Sequence, residues 1–167
     1  PAILLHCKPG DLFVIRNVAA LVPAVTQASN PCSVMSAIEY GVKHLNVEHI
    51  VVMGHSHCGG IHGLMTPESI AGETYIQDWV SIASPALERL QAMTGDEDEK
   101  TRSRHCEEGA VLISLDNLLS YPWIAERVKN GQLKLHALYY DLSEGNLYRF
   151  SPDSEDFELL FHTIENP

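Results

Sequence analysis

An α/β fold, with a mainly parallel central sheet flanked by helices and an antiparallel edge strand, is predicted by three features of this sequence. Short apolar runs at residues 12–15 and 49–53 have the length and density of buried strands. A segment with three- and four-residue apolar steps separates them. Strand, helix and strand thus fall within about forty residues, as in a parallel crossover unit. Toward the other end, residues 133–142 read as a strand, Glu144-Gly145-Asn146 as a turn, and residues 147–150 as an antiparallel partner.

Taken in order, the first seven residues are apolar and run into the turn signal Lys8-Pro9-Gly10-Asp11. Residues 12–15 are expected to be the first strand, with Arg16-Asn17 placing polar groups at its carboxyl end. Asn30-Pro31 marks a loop, and Ser33 is placed to cap a helix running to about Leu45. Met35, Ile38, Val42 and Leu45 form its apolar face. The strand at 49–53 stops at Gly54-His55-Ser56-His57-Cys58-Gly59-Gly60. One or two helices fill residues 73–93, with Trp79, Ile82, Ala83, Leu87 and Leu90 inward and a break at Pro85. Gly95-Asp96-Glu97-Asp98-Glu99-Lys100 opens a solvated helix start, a helix ends near Leu119, and a short one follows Pro122. The acidic tail, residues 151–167, is expected to lie over the surface or a partner.

Composition narrows the function. At ~100–150 residues per domain, 167 residues make one domain, 1–167. With 45% hydrophobic and 20% charged residues, the chain is globular rather than disordered. Twenty-two acidic residues stand against 11 basic ones, a net charge of -11. That balance argues against a nucleic acid or an anionic membrane as partner, yet permits a small anion in a local positive pocket. No apolar run approaches the ~18–20 residues of a membrane span. No secretory pattern is visible, and cysteines at 7, 32, 58 and 106 are too sparse for a disulfide framework. A cytoplasmic setting is therefore expected.

Open α/β sheets bind ligands at the carboxyl ends of their strands, where two polar clusters fall: Arg16-Asn17 and the 55–60 turn. In the turn, His55 and Cys58 stand three apart beside two glycines that let the backbone approach closely. Imidazole nitrogen and thiolate sulfur suit zinc, and a catalytic zinc keeps three protein ligands and one open position. Zinc would bring the pKa of a bound water down from its bulk value toward ~7. On spacing alone, a structural turn with a buried thiol is the stronger reading.

Longer motifs surround this pair. Gly10-Asp11-Leu12-Phe13-Val14-Ile15-Arg16-Asn17-Val18-Ala19, then Ala37-Ile38-Glu39-Tyr40 and His44-Leu45, lead into an unbroken stretch from His49 to Ile61. Together they resemble the β-class carbonic anhydrases over most of the chain. The resemblance implies reversible hydration of carbon dioxide to bicarbonate and a proton, by a hydroxide on a zinc held by two cysteines and a histidine. His55 and Cys58 match two of those ligands. Phe13, Val18 and Tyr40 match the lining of the substrate pocket, and Gly59 the residue whose amide faces the substrate. Arg16 and Tyr140 match a noncatalytic bicarbonate site found in some bacterial members. A homodimer or larger homo-oligomer is implied as well.

The family's first zinc cysteine belongs to a Cys-x-Asp-Ser-Arg motif on the preceding strand, and this sequence contains none; Pro1 matches the residue just after it. The domain is accordingly expected to be N-terminally incomplete, with two zinc ligands of three and no catalytic Asp-Arg pair. No residue of the chain itself is assigned as catalytic. Cys7 precedes the Pro9-Gly10 turn, where the family has no ligand, and Cys32 and Cys106 read as packed or surface thiols. His57 and His62 read as solvated. The second function in play is a catalytically silent homologue that binds bicarbonate or serves assembly.

Overall fold

His49–His55 form strand β1 and Lys134–Asp141 form β2, which pair in parallel from His49 opposite Lys134 to His55 opposite Tyr140. The computed structural model describes residues 1–28, 32–93, 95 and 98–162. Asn30-Pro31, Asp96-Glu97 and the last part of the acidic tail, 163–167, lie outside the described residues. β3 (Asn146–Ser151) and β4 (Asp156–His162) continue the sheet by two antiparallel pairings, giving the order β1-β2-β3-β4.

Helices cover this sheet, as an α/β sequence requires. α1 (Ser33–Lys43) buries Val34, Met35, Ile38 and Val42 in a core with Val52, Ala137 and Tyr139 of the strands. Cys32 occupies its N-cap position, so Ser33 is the first helical residue, and the helix stops short of the exposed Leu45. Between β1 and β2 come α2 (Gly59–Met65), α3 (Thr74–Val80), α4 (Ser84–Ala92), α5 (Glu99–Leu119) and α6 (Pro122–Lys129). Pro85 sits in the first turn of α4, where its missing N–H costs nothing, and so begins that helix after the break from α3. Asp98 caps α5 by accepting the Thr101 amide at 2.7 Å.

A second apolar cluster, between α2, α4 and α5, contains Leu21, Cys58, Ile61, Leu64, Leu90, Cys106 and Ala110. The segment feeding it is not a strand. Leu21 is extended, and α5 and its C-terminal turn supply side-chain partners to the residues that follow. The Val22 amide donates to Ser114 Oγ at 3.2 Å, Asn117 Nδ2 to the Val22 carbonyl at 2.8 Å, and the Tyr121 hydroxyl to the Pro23 carbonyl at 3.0 Å.

Three expectations need correction or refinement. Residues 12–15 form no strand: Leu12, Phe13 and Val14 are exposed, and Phe13 lies over α1 against Gly41. Apolar density cannot separate a strand from an extended segment resting on a helix. The acidic tail, in its described part, is strand β4. Its acidic residues are exposed while Phe157 turns inward against Tyr139 and Phe150; Leu159 and Leu160 are both exposed, so burial does not alternate along this strand. Among the described residues the sheet therefore has one parallel pairing and two antiparallel ones.

Candidate metal centre

The turn after β1 owes its shape to small residues and to one buried carboxylate. Gly54 is needed because α5 passes directly over it: a Cβ there would come within 2.5 Å of Val111 Cγ2. Past His55 the chain leaves the sheet. The Ser56 amide donates to the Tyr140 carbonyl at 3.0 Å, and Ser56 Oγ accepts the Leu142 amide at 2.8 Å. His57 takes a left-handed backbone, φ 57°, with its exposed ring 3.0 Å from Ser143 Oγ. Cys58 then stands at the N-cap of α2, accepting the His62 amide on its carbonyl at 2.9 Å.

His55 and Cys58 meet at one narrow cleft, with room for a single water-sized body, whose other walls are Ala19, Gly54, Ile61 and Glu107. The orientation of His55 is readable. Its Nδ1 lies 2.9 Å from the Ser56 carbonyl oxygen, which can only accept, so Nδ1 carries the proton and Nε2 keeps its lone pair. That is the arrangement in which a histidine is held for a metal by its other nitrogen. Cys58 is buried, with its amide donating to Glu107 Oε1 at 2.9 Å. Glu107 Oε2 accepts the Tyr139 hydroxyl at 2.7 Å. Burial, and then that hydrogen bond, push the Tyr139 phenol well above its ordinary range, so it remains a donor at any physiological pH.

Sequence reasoning missed Glu107. The signal was present: Glu107 falls three and four residues before Ala110 and Val111, on the buried stripe of α5. A carboxylate on an apolar stripe needs partners, and here it has two.

The structure places the other expected site residues less uniformly. Val18 packs against Gly60, where a Cβ would lie 2.6 Å from Val18 Cγ1, and its carbonyl accepts Trp79 Nε1 at 2.8 Å. Gly59, the first residue of α2, is exposed. Phe13 and Tyr40 pair with each other, ring centroids 6.2 Å apart, on the exposed side of α1 rather than on the cleft wall. Arg16 is exposed and stands outside the cleft. Tyr140 neighbours His55 across the β1–β2 ladder.

In donor type the pair fits zinc, one imidazole nitrogen from the end of β1 and one thiol sulfur from the N-cap of α2. In number it is one short of a catalytic set: among the described residues no three His, Cys, Asp or Glu side chains are grouped to hold a metal. Cys7 is not drawn in; its thiol lies 3.4 Å from the Leu5 carbonyl. Cys106 is fully buried, and burial followed by the nearby Glu107 charge pushes its thiol up to about 11, as suits packing rather than coordination. His62 is exposed.

Comparison with known proteins bears on the whole chain. A family model described as carbonic anhydrase matches residues 1–147. A chloroplastic beta carbonic anhydrase 5 of Arabidopsis thaliana is 38% identical over 154 residues, covering 92% of this chain and 50% of that protein. The chain thus spans about half the length of that curated relative. Among solved structures, the beta-carbonic anhydrase CcaA superposes with a TM-score of 0.89 at 28% identity, over 95% of this chain and 77% of that one. A tetrameric beta-carbonic anhydrase of Sordaria macrospora gives 0.69 at 29% identity, over 95% and 73%. With its fold and its sequence both matching, this chain belongs to the β-class carbonic anhydrases.

Proposed function

We propose that the protein containing this chain is a zinc-dependent enzyme interconverting carbon dioxide and bicarbonate. The observation that carries the reading is the meeting of His55 and Cys58 at one cleft, with the His55 tautomer fixed so that Nε2 is the free donor. Family membership supports the reaction class. In this reading His55 Nε2 and Cys58 Sγ supply two protein ligands, and a third comes from outside the described residues. When bound, zinc supplies the Lewis acidity that makes a water nucleophilic near neutral pH.

The chain's own residues orient and enclose. The Ser56 carbonyl holds the imidazole, and Glu107 and Gly54 shape the turn. We assign the Gly59 amide to face substrate, and Phe13, Val18 and Tyr40 to line its approach. Arg16 and Tyr140 are proposed for a separate bicarbonate site. No covalent intermediate on the protein is needed, so no side chain here is given the role of nucleophile. Leu12, Phe13, Val14, Val18 and Tyr40 are all exposed, an apolar surface fitted to a second copy of the chain in a homo-oligomer. All four cysteines are unpaired, which supports a reducing, cytoplasmic setting. No described helix is long and apolar enough to cross a membrane.

The test is stopped-flow hydration of carbon dioxide by the full-length protein and its Cys58→Ser and His55→Ala variants. Wild type should turn over, and each variant should lose at least about a hundredfold with its bound zinc. Zinc-loaded wild type without turnover would sink the enzyme reading. It would favour the second one, a silent bicarbonate-binding or assembly subunit, to which the two-donor grouping among the described residues lends support.

A further inference from the structure

We propose that Glu107 is a positioning residue for Cys58, acting through the Cys58 backbone amide. The inference rests on the reading that His55 and Cys58 hold zinc, and it adds to that reading a residue on a different element. Glu107 reaches the turn from α5, is 4% exposed, and lines the same cleft as the two donors. Both of its oxygens are engaged: Oε1 accepts the Cys58 amide at 2.9 Å and Oε2 the Tyr139 hydroxyl at 2.7 Å.

Each partner is itself fixed. Cys58 is the N-cap residue of α2, whose amides have no partner within the helix, so an acceptor from outside sets the direction from which the chain enters it. Its side chain makes no capping hydrogen bond. The thiol is thus left available for a metal, and the job of holding the turn passes to Glu107. Tyr139 is fully buried in the middle of β2, packed edge-on against Phe157. The carboxylate therefore bridges the turn to the rigid sheet. A metal ligand on a short turn wanders unless its backbone is tied down, and groups that tie ligands down are typically worth 10–100-fold in metal affinity.

Two substitutions separate reach from charge. Glu107→Asp keeps the carboxylate but withdraws it by one methylene; Glu107→Gln keeps the reach and an acceptor oxygen for Cys58, while the Tyr139 hydroxyl can turn to accept from the new amide. In the full-length protein, zinc affinity measured by competition with a chromophoric chelator should fall about 10–100-fold for Glu107→Asp and stay within about threefold for Glu107→Gln. In metal-free protein, hydrogen exchange at the Cys58 amide should quicken in Glu107→Asp alone, with thermal midpoints little changed. Wild-type affinity in Glu107→Asp, or an equal loss in both variants, would overturn the proposal. Wild-type protein that binds no zinc would instead overturn the metal reading, leaving the exchange measurement to decide the role of Glu107.

Discussion

Backbone strain gathers around the cleft. Of six non-glycine residues with positive φ among the described residues, Ala19, Ala20 and His57 border or adjoin it, and each left-handed residue costs about 1–2 kcal/mol. The surroundings hold them there. Asn17 clasps Leu21 by two hydrogen bonds of 2.9 Å, and Val18 and Ala19 press against Gly60 with no room for a Cβ. A different side-chain pair gives the molecule an acid-sensitive point. His136 Nε2 lies 2.9 Å from His49 Nδ1, and its pKa is lowered by burial, then by His49, Arg149 and Lys134. Folded protein therefore binds fewer protons at His136 than unfolded protein does. The stability this contributes is complete above the ordinary histidine value of ~6.5 and is lost as pH falls through the lowered folded value. Denaturant midpoints should drop more between pH 7.5 and pH 5 in wild type than in His136→Gln. An equal drop in the two would remove His136 from the account.

Helix α5 is the element on which the site depends, because it serves both the sheet and the turn. Val111 closes over Gly54, Glu107 reaches Cys58, and Ser114 and Asn117 satisfy the extended segment at Val22. Gly54→Ala should therefore destabilise the fold by about 1–3 kcal/mol, since Val111 is buried, branched and unable to swing aside. Urea unfolding reads this directly, and an unchanged midpoint would mean that α5 shifts freely over β1. What could be read in advance follows from the same logic. β1, α1, Pro85 and the His55–Cys58 turn were legible because periodicity, proline chemistry and donor type are local properties of sequence. For Glu107 only its place on the buried stripe of α5 was legible; its partners were not, being 49 residues before and 32 residues after it in the chain. Residues 12–15 failed as a strand for a related reason: what an apolar run packs against is a tertiary fact. β4 offered no regular alternation to read, with Phe157 its one buried residue and a register shift in its pairing to β3.

Considered whole, the chain is a sheet with helices on its flanks, an exposed apolar surface at residues 12–14, Val18 and Tyr40, and a cleft lined by His55 and Cys58, the proposed metal donors, at the end of β1. The apolar surface and the incomplete donor set are separate claims with separate tests. If a second copy covers the first, Phe13→Asp in the full-length protein should shift its mass by light scattering toward the monomer, with the helical circular dichroism retained. An unchanged assembly would place the interface elsewhere. The donor set is the central claim, and elemental analysis tests it most directly. Full-length protein and its Cys58→Ser variant are dialysed against a mild chelator and their zinc is counted per protomer. The account predicts about one zinc in wild type and less than about a tenth of that in the variant. A variant that keeps its zinc would contradict it, because the metal would then be held somewhere other than the cleft of His55 and Cys58.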